Sequence, residues 1–254
     1  MAALATPTAD ALDASQSGTA LHRSVTRALL ALELVAESST PLPLSTLAAR
    51  LNAPKSSLHP LLKALLARRY LEVDKEANYR LGIRAAELGA AYLSRITPLK
   101  GVHPELVVLS RELNMTAHFA IVDGTDALYL AKEDAPGVGI RLASAVGTRL
   151  PAELTAVGKA NLAFVAGELA DSRPALAGEL AQVRSQGFAV DEGQILTAVR
   201  CIAAPVFDNS GECCGAIGVS YLREGGPPVE KVAIRVRQAA ARASRQLGAR
   251  IAGR

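Results

Sequence analysis

Cysteine is scarce in this chain of 254 residues, with only three. Three cannot all pair within one chain. Cys213 and Cys214 are adjacent and Cys201 lies on another apolar run, so a disulfide scaffold and a CxxC zinc pattern are both excluded. Long hydrophobic runs are also missing. No apolar stretch approaches the roughly 20 residues needed to span a bilayer, so no membrane partner is expected. Residues 1–20 (MAALATPTADALDASQSGTA) lack the basic start and apolar block of a signal peptide, which points to a cytoplasmic protein. Small and polar, with two acids and no base, residues 1–19 read as a disordered leader. Histidine is sparse too, at positions 22, 59, 103 and 118.

About half of the residues are apolar, enough to bury a sizeable core divided over two domains. The net charge of +4 conceals an asymmetry. Residues 20–97 carry 11 Lys and Arg against 6 Asp and Glu (+5), residues 98–230 carry 10 against 16 (−6), and residues 231–254 carry 7 against none (+7). A basic amino-terminal unit joined to an acidic middle fits a first part that meets a polyanion and a second with another task; charge alone equally allows a merely solvated basic face.

Ser24 is a plausible N-cap for SVTRALLALELVAES, in which Val25, Leu29, Leu32 and Ala36 fall on one apolar stripe. After the turn-forming STPLP, Leu44, Leu47, Ala48 and Leu51 share one side of a short second helix. Asn52 and Ala53 make a tight connection, and Pro54 suits the first position of a third helix. In that helix, at about 100° per residue from Lys55, Leu58, Leu61, Leu62 and Leu65 fall between about 240° and 340°, while Lys55, His59, Lys63 and Ser56 fall between about 0° and 100°. A short helix, a tight turn and a second helix with a basic outer face form a helix-turn-helix, whose second helix can enter a major groove. Lys55, Ser56, Ser57, His59 and Lys63 are the candidates for reaching base edges and phosphates. Pro60, past the first turn, forfeits a hydrogen bond to residue 56 and predicts a kink or a tightened first turn. In RRYLEVDKEANYRLG, YLEV and NYRLG are short strands around a charged turn, a wing whose Lys75 and Arg80 are candidates for the DNA backbone. A helix over 83–96, with Ala86, Leu88, Ala91 and Leu93, reads as a linker and part of a dimer interface.

From Thr116 the period is that of strands. TAHFAIVDGTDALYLAKED is a hairpin and VGIRLAS a third strand. GTRLPAELTAVGKANLAFVAG is a loop running into a helix near Thr155, where free backbone N–H groups can receive an anion. LAGELAQVRSQ is helical, FAVD extended, and CIAAPVFDNSGECCGAIGVSYL a second hairpin turning at Asp208 to Gly211. A last helix turns Val232, Val236, Ala239, Ala243 and Leu247 inward. The fold class is α+β: a winged helix-turn-helix over 20–82, a linker helix over 83–97, and an antiparallel sheet flanked by helices over 98–254.

The order RALLALELVAE, LSTLAARLNAPKSSLHPLLKALLARRYLEVD, YRLG, GTRLPAELTAVGKA, VRSQGFAVDEG and CIAAPVFDNSGECCGAIGVS resembles the IclR family of bacterial transcriptional regulators, over residues 20 to 250. The resemblance implies a homodimeric or homotetrameric regulator of an operator in double-stranded DNA, more often a repressor. Its carboxy-terminal domain would be similar to GAF and PAS sensor folds and hold a small organic effector, a carboxylate by preference. By motif, the effector pocket would use the backbone at Ala156 and Val157 in TAVGKA, the Asp191 carboxylate in FAVDEG and Cys201 in CIAAP, with Leu150 in its apolar wall and Ser220 close by. No cofactor is implied. The segment between TAVGKA and VRSQGF is shorter than the family norm, and Pro60 stands where a basic or polar residue is common. On the residues alone, Asp191 reads equally as a turn acid. Two alternatives use the thiols: a thiol- or metal-responsive regulator built on Cys201, Cys213 and Cys214 with His118, and a hydrolase with Cys201 as nucleophile.

Overall fold

The computed structural model describes residues 20–135, 145–165 and 176–249. The chain divides into two compact units, the first ending at Arg95 and the second beginning at Ile96. No helix among the described residues is long and apolar enough to cross a membrane. The expected leader and the strand at VGIRLAS lie outside the described residues.

In the first unit, helix α1 (Ala20–Glu37) is followed by β1 (Leu42–Pro43), α2 (Leu44–Arg50), α3 (Lys55–Ala67), β2 (Leu71–Val73), β3 (Asn78–Leu81) and α4 (Ile83–Leu93). Helix α1 corrects the sequence reading. It already runs at Ala20, so Ser24 is interior rather than a cap, and it buries Leu30, Ala31, Leu34 and Val35. Val25 and Leu29 lie on the opposite arc and are more than half exposed. Both arcs are apolar, and periodicity could not tell which one meets the core. The core is closed by Leu47, Ala48 and Leu51 of the α2 region and by Leu58 and Leu62 of α3, both fully buried. Burying each of those two leucines contributes about 1.5–3 kcal/mol. Asn52 takes the left-handed conformation (φ 45°), and the Ala53 N–H returns to the Ala48 carbonyl at 3.0 Å, making the tight turn between the helices.

Pro54 caps α3 rather than opening it. Pro60 leaves the helix continuous, and the first turn is tightened: the Ser57 and Leu58 N–H groups both donate to the Pro54 carbonyl, at 3.0 and 3.1 Å. Strand β3 is central in a three-stranded sheet ordered β1-β3-β2, so the wing gains a strand from the STPLP turn. At its tip the Asp74 carboxylate accepts from the Glu76 and Asn78 N–H groups, which holds its pKa below the usual carboxylate range. Helix α4 ends at Leu93, short of the expected Ile96, and none of its residues is buried.

The second unit opens with a helix that periodicity does not announce, α5 (Thr97–Leu113), because Pro98, Gly101 and Pro104 interrupt the pattern. Then come β4 (Thr116–Asp123), β5 (Asp126–Glu133), β6 (Arg149–Pro151), a 3-10 turn (Ala152–Leu154), α6 (Ala156–Leu162), α7 (Ala177–Gln186), β7 (Ala189–Asp191), β8 (Val199–Phe207), β9 (Cys213–Leu222) and α8 (Val229–Gln246). The six strands form one antiparallel sheet ordered β6-β5-β4-β9-β8-β7. The edge strand β6 falls where a loop is expected. Helices α5 and α8 pack on one face, tied by an ion pair from Arg242 to the buried Glu105 at 2.8 Å; α6 packs on the other. Val232, Val236, Ala239 and Ala243 of α8 are buried, as their spacing predicts.

Candidate functional site

The register of the sheet assembles residues distant in sequence. Antiparallel residues directly opposite one another share a face. Asp191 on β7 therefore aligns with Cys201 on β8, which aligns with Ser220 on β9, and Ser220 with Thr116 on β4. Two residues along each strand, a parallel row is made of Ala189, Ala203, Gly218 and His118. The first turn of α6 covers this face. Between helix and sheet lies a cavity of ≈ 30 Å³, lined by His118, Tyr129, Leu150, Thr155, Ala156, Val157, Asp191, Ile195, Leu196, Val199, Cys201 and Ser220. Such a volume holds about one water, so a larger ligand enters only if α6 or the loop over 192–198 moves aside.

All six residues carried over by motif, Leu150, Ala156, Val157, Asp191, Cys201 and Ser220, line this one cavity. Asp191 Oδ1 accepts from the N–H groups of Gly193 (2.9 Å) and Gln194 (2.6 Å), as the turn-acid reading of this residue expects. Burial raises its pKa, opposed by these two amides and by Lys159. Cys201 Sγ and Ser220 Oγ are hydrogen-bonded at 3.1 Å, and burial pushes the thiol up to about 12. Thr155 Oγ1 accepts from the Gly158 N–H and caps α6. Lys159, almost wholly buried, donates from Nζ to Glu179 (2.6 Å), to the Val190 carbonyl (3.3 Å) and to Gln194, and so fixes the loop that carries Asp191.

Tyr129 and Lys159 are missed as site residues by sequence reasoning, which considers His118 only as a partner of the thiols and Thr155 only as the start of a helix. His118 and Tyr129 sit on alternating strand positions like any core residue, and only the cross-strand register brings them to Cys201. His118 is buried, and burial together with the charge of Lys132 drives its pKa down to about 3. The imidazole is therefore neutral in the fold. Unfolded, it titrates near 6.5, so between about 3 and 6.5 the unfolded state binds the extra proton and stability rises with pH. Above pH 6.5 this contribution is complete; on acidification it falls by about 1.4 kcal/mol per unit, about 2 kcal/mol by pH 5. In urea unfolding at pH 7 and pH 5, His118→Phe should lose that much less stability than the wild type. Equal acid sensitivity of the two proteins would contradict the assignment.

The thiol alternatives fail on geometry. Cys201 and Phe207, the partner of Cys213, stand six positions apart along β8, a distance of about 20 Å at strand rise. Cys213 Sγ donates to the Gly215 carbonyl and Cys214 Sγ to the Val206 carbonyl, and no cluster of three metal-ligating side chains occurs among the described residues. Cys201 shares the cavity with His118, but its thiol is hydrogen-bonded to Ser220 and burial holds it in the protonated form, which disfavours the thiolate that attack needs.

In the first unit Lys55, Ser56, Ser57, His59 and Lys63 are exposed along α3, and Lys75 is exposed at the wing tip. The Ser57 hydroxyl already donates to the Pro54 carbonyl at 2.9 Å. Arg80 is exposed but ion-paired across the wing with Glu72 at 3.0 Å.

A winged helix-turn-helix unit together with a second unit that encloses a small cavity, with a few polar groups in an apolar wall, suits a DNA-binding transcriptional regulator. Models of two domains match the chain: the IclR helix-turn-helix domain at residues 24–75, and the bacterial transcriptional regulator IclR C-terminal domain at residues 90–173 and 169–245. The HTH-type transcriptional regulator XynR of Escherichia coli is 33% identical over 247 residues, 89% of this chain and 97% of that protein. The transcriptional repressor IclR of Escherichia coli is 28% identical over 227 residues, 82% of each. Among solved structures, an IclR homolog from Microbacterium hydrocarbonoxydans complexed with 4-hydroxybenzoate superposes with a TM-score of 0.78 at 21% identity, covering 88% of this chain and 98% of its own. The chain belongs to the IclR family of transcriptional regulators.

Proposed function

We propose that this regulator is a repressor, that it reads its operator with the outer face of α3 and the wing, and that a small organic acid bound under α6 releases it. The single observation carrying the effector reading is that six residues from four separate motifs line one cavity. Within it, the N–H groups of Ala156 and Val157 are offered to a carboxylate, Leu150 supplies apolar wall, and Asp191, Cys201 and Ser220 supply hydrogen bonds. The structure of the 4-hydroxybenzoate-bound homolog supports an organic acid as ligand class. On the DNA side, Lys55, Lys63 and Lys75 meet phosphates, Ser56 and His59 meet base edges, and Arg80 contacts the backbone once it leaves Glu72. Ser57 fixes the tip of α3 and lies beside the groove.

The protein acts as a dimer in this reading. Ile83, Leu88 and Tyr92 of α4 and Val25 and Leu29 of α1 expose large apolar side chains, more than the domain 20–82 and the linker 83–97 need if they worked alone. An effector that favours one spacing of two winged helices by about 1.4 kcal/mol weakens operator binding tenfold, within the usual range of coupling free energies.

Binding to the DNA upstream of the protein's own gene across a salt series tests the DNA reading. The wild type should bind it far more tightly than random DNA, and Lys55→Ala and Lys63→Ala should each lower the salt slope by about 1. An unchanged slope in both variants would remove α3 from the interface.

A further inference from the structure

The polar groups that face the cavity are unevenly satisfied. Asp191 Oδ1 receives two amides, Cys201 and Ser220 bond each other, and Thr155 caps α6. His118 and Tyr129 differ. His118 is 1% exposed and its Nδ1 has no hydrogen-bond partner among the described residues. Tyr129 is 4% exposed, and no group among the described residues hydrogen-bonds its hydroxyl. The two rings lie 5.3 Å apart between centroids, tilted by 58°. The sheet makes room for them: a Cβ at Gly218 would stand 2.9 Å from His118 Nε2, and the row beyond continues with Ala203 and Ala189. Buried polar groups are ordinarily paired, so the unpaired Nδ1 of His118, on a ring beside Tyr129 in the same cavity wall, marks a place where a partner arrives from outside.

We propose that His118 and Tyr129 are specificity-determining residues that read a hydroxyl group of the effector. The inference rests on the cavity being the effector site. A neutral imidazole offers one donor and one acceptor and a phenol one of each, which matches an alcohol or phenol that both gives and takes. Burial and Lys132 keep the imidazole uncharged, so it offers no cation to a carboxylate. A carboxylate at this end would also face Asp191 across the same cavity. The acid group of the effector therefore points elsewhere, and the hydroxyl is what His118 and Tyr129 select. Because the Nδ1 of His118 is unpaired without ligand, His118→Phe should leave the thermal midpoint of the ligand-free protein unchanged or raised.

Calorimetric titration of the full chain with matched sets on one skeleton tests the proposal: lactate, alanine and propionate, and 4-hydroxybenzoate, 4-aminobenzoate and benzoate. The wild type should bind at least one hydroxylated member tenfold or more tightly than its unsubstituted and amino counterparts. Tyr129→Phe and His118→Phe should cut that preference below threefold while keeping the weaker affinity for the unsubstituted acid. Equal affinities across each set, preference for the amino member, no binding of either hydroxylated acid to the wild type, or an intact preference in both variants would overturn it. Ile195→Trp, which fills the cavity from its loop wall, separates the two levels. Undiminished hydroxy-acid binding in that variant removes the cavity itself as the effector site. Binding lost there but insensitive to His118 and Tyr129 leaves the cavity reading intact and removes only the hydroxyl assignment.

Discussion

Gly158→Ala is expected to destabilise the carboxy-terminal unit by at least about 3 kcal/mol, the upper range for overpacking. Helix propensity argues the opposite sign, since alanine is favoured over glycine in a helix interior by about 1 kcal/mol. Packing decides. A Cβ at this position would lie 2.1 Å from the Ala152 carbonyl oxygen, 2.4 Å from its Cα and 2.6 Å from its carbonyl carbon. All three are backbone atoms of the 3-10 turn leading into α6, so no flexible side chain can give way. Relief requires moving α6 off that turn, which breaks the bond from the Gly158 N–H to Thr155 Oγ1 and opens the cavity wall at Ala156 and Val157. A domain with ordinary stability of 5–15 kcal/mol would survive in cold, ligand-free solution with a much lower urea midpoint. A midpoint equal to or above that of the wild type would show that the turn adjusts freely.

Lys159→Ala, one residue on, should cost about 3 kcal/mol, the lower end for removing one partner of a buried charged network. The lysine side chain is 2% exposed, whereas that of Glu179 is 39% exposed and can regain water after the substitution, which limits the loss. The Val190 carbonyl and Gln194 are left without their donor, and the volume of the lysine stem becomes a void. Lys159→Met, which refills that volume, should recover part of the loss. The loop carrying Asp191 should loosen in both variants, read as faster amide exchange at Gly193 and Gln194. Unaltered exchange there would show that the loop holds its shape without the lysine.

These two residues sit in the TAVGKA motif, and their different legibility is instructive. The motif marks the start of α6 and a candidate anion-receiving turn, both readable from Gly, Thr and the following apolar run. Nothing local says that Gly158 is pressed against Ala152, or that Lys159 points inward to meet Glu179, 20 residues away, and Gln194, 35 residues away. A lysine between small residues in a helix reads as a solvated charge, and only the fold supplies its acceptors. Helix α1 gives the same lesson from the other side: two apolar arcs at helical spacing, of which Leu30, Ala31, Leu34 and Val35 won the core because α2 and α3 close on them.

By itself the sequence determined the class of each unit. Helical spacing of leucines at 58 and 62, a tight connection at Asn52 and Ala53 and short strands around a charged turn specify a winged helix-turn-helix through interactions within some 60 residues, and local periodicity reports such interactions. Strand period, turn residues at 208–211 and the amphipathic last helix likewise specify an antiparallel α+β unit. The motifs named six residues of the candidate site, and tertiary structure decided that they share one cavity and which others join them. Asp191, Cys201, Ser220 and His118 meet because β7, β8, β9 and β4 are neighbours in that order and in one register, and a slip of one residue would turn each side chain to the opposite face. Register depends on pairing between strands up to a hundred residues apart, and it leaves no mark in the spacing of residues along any one of them.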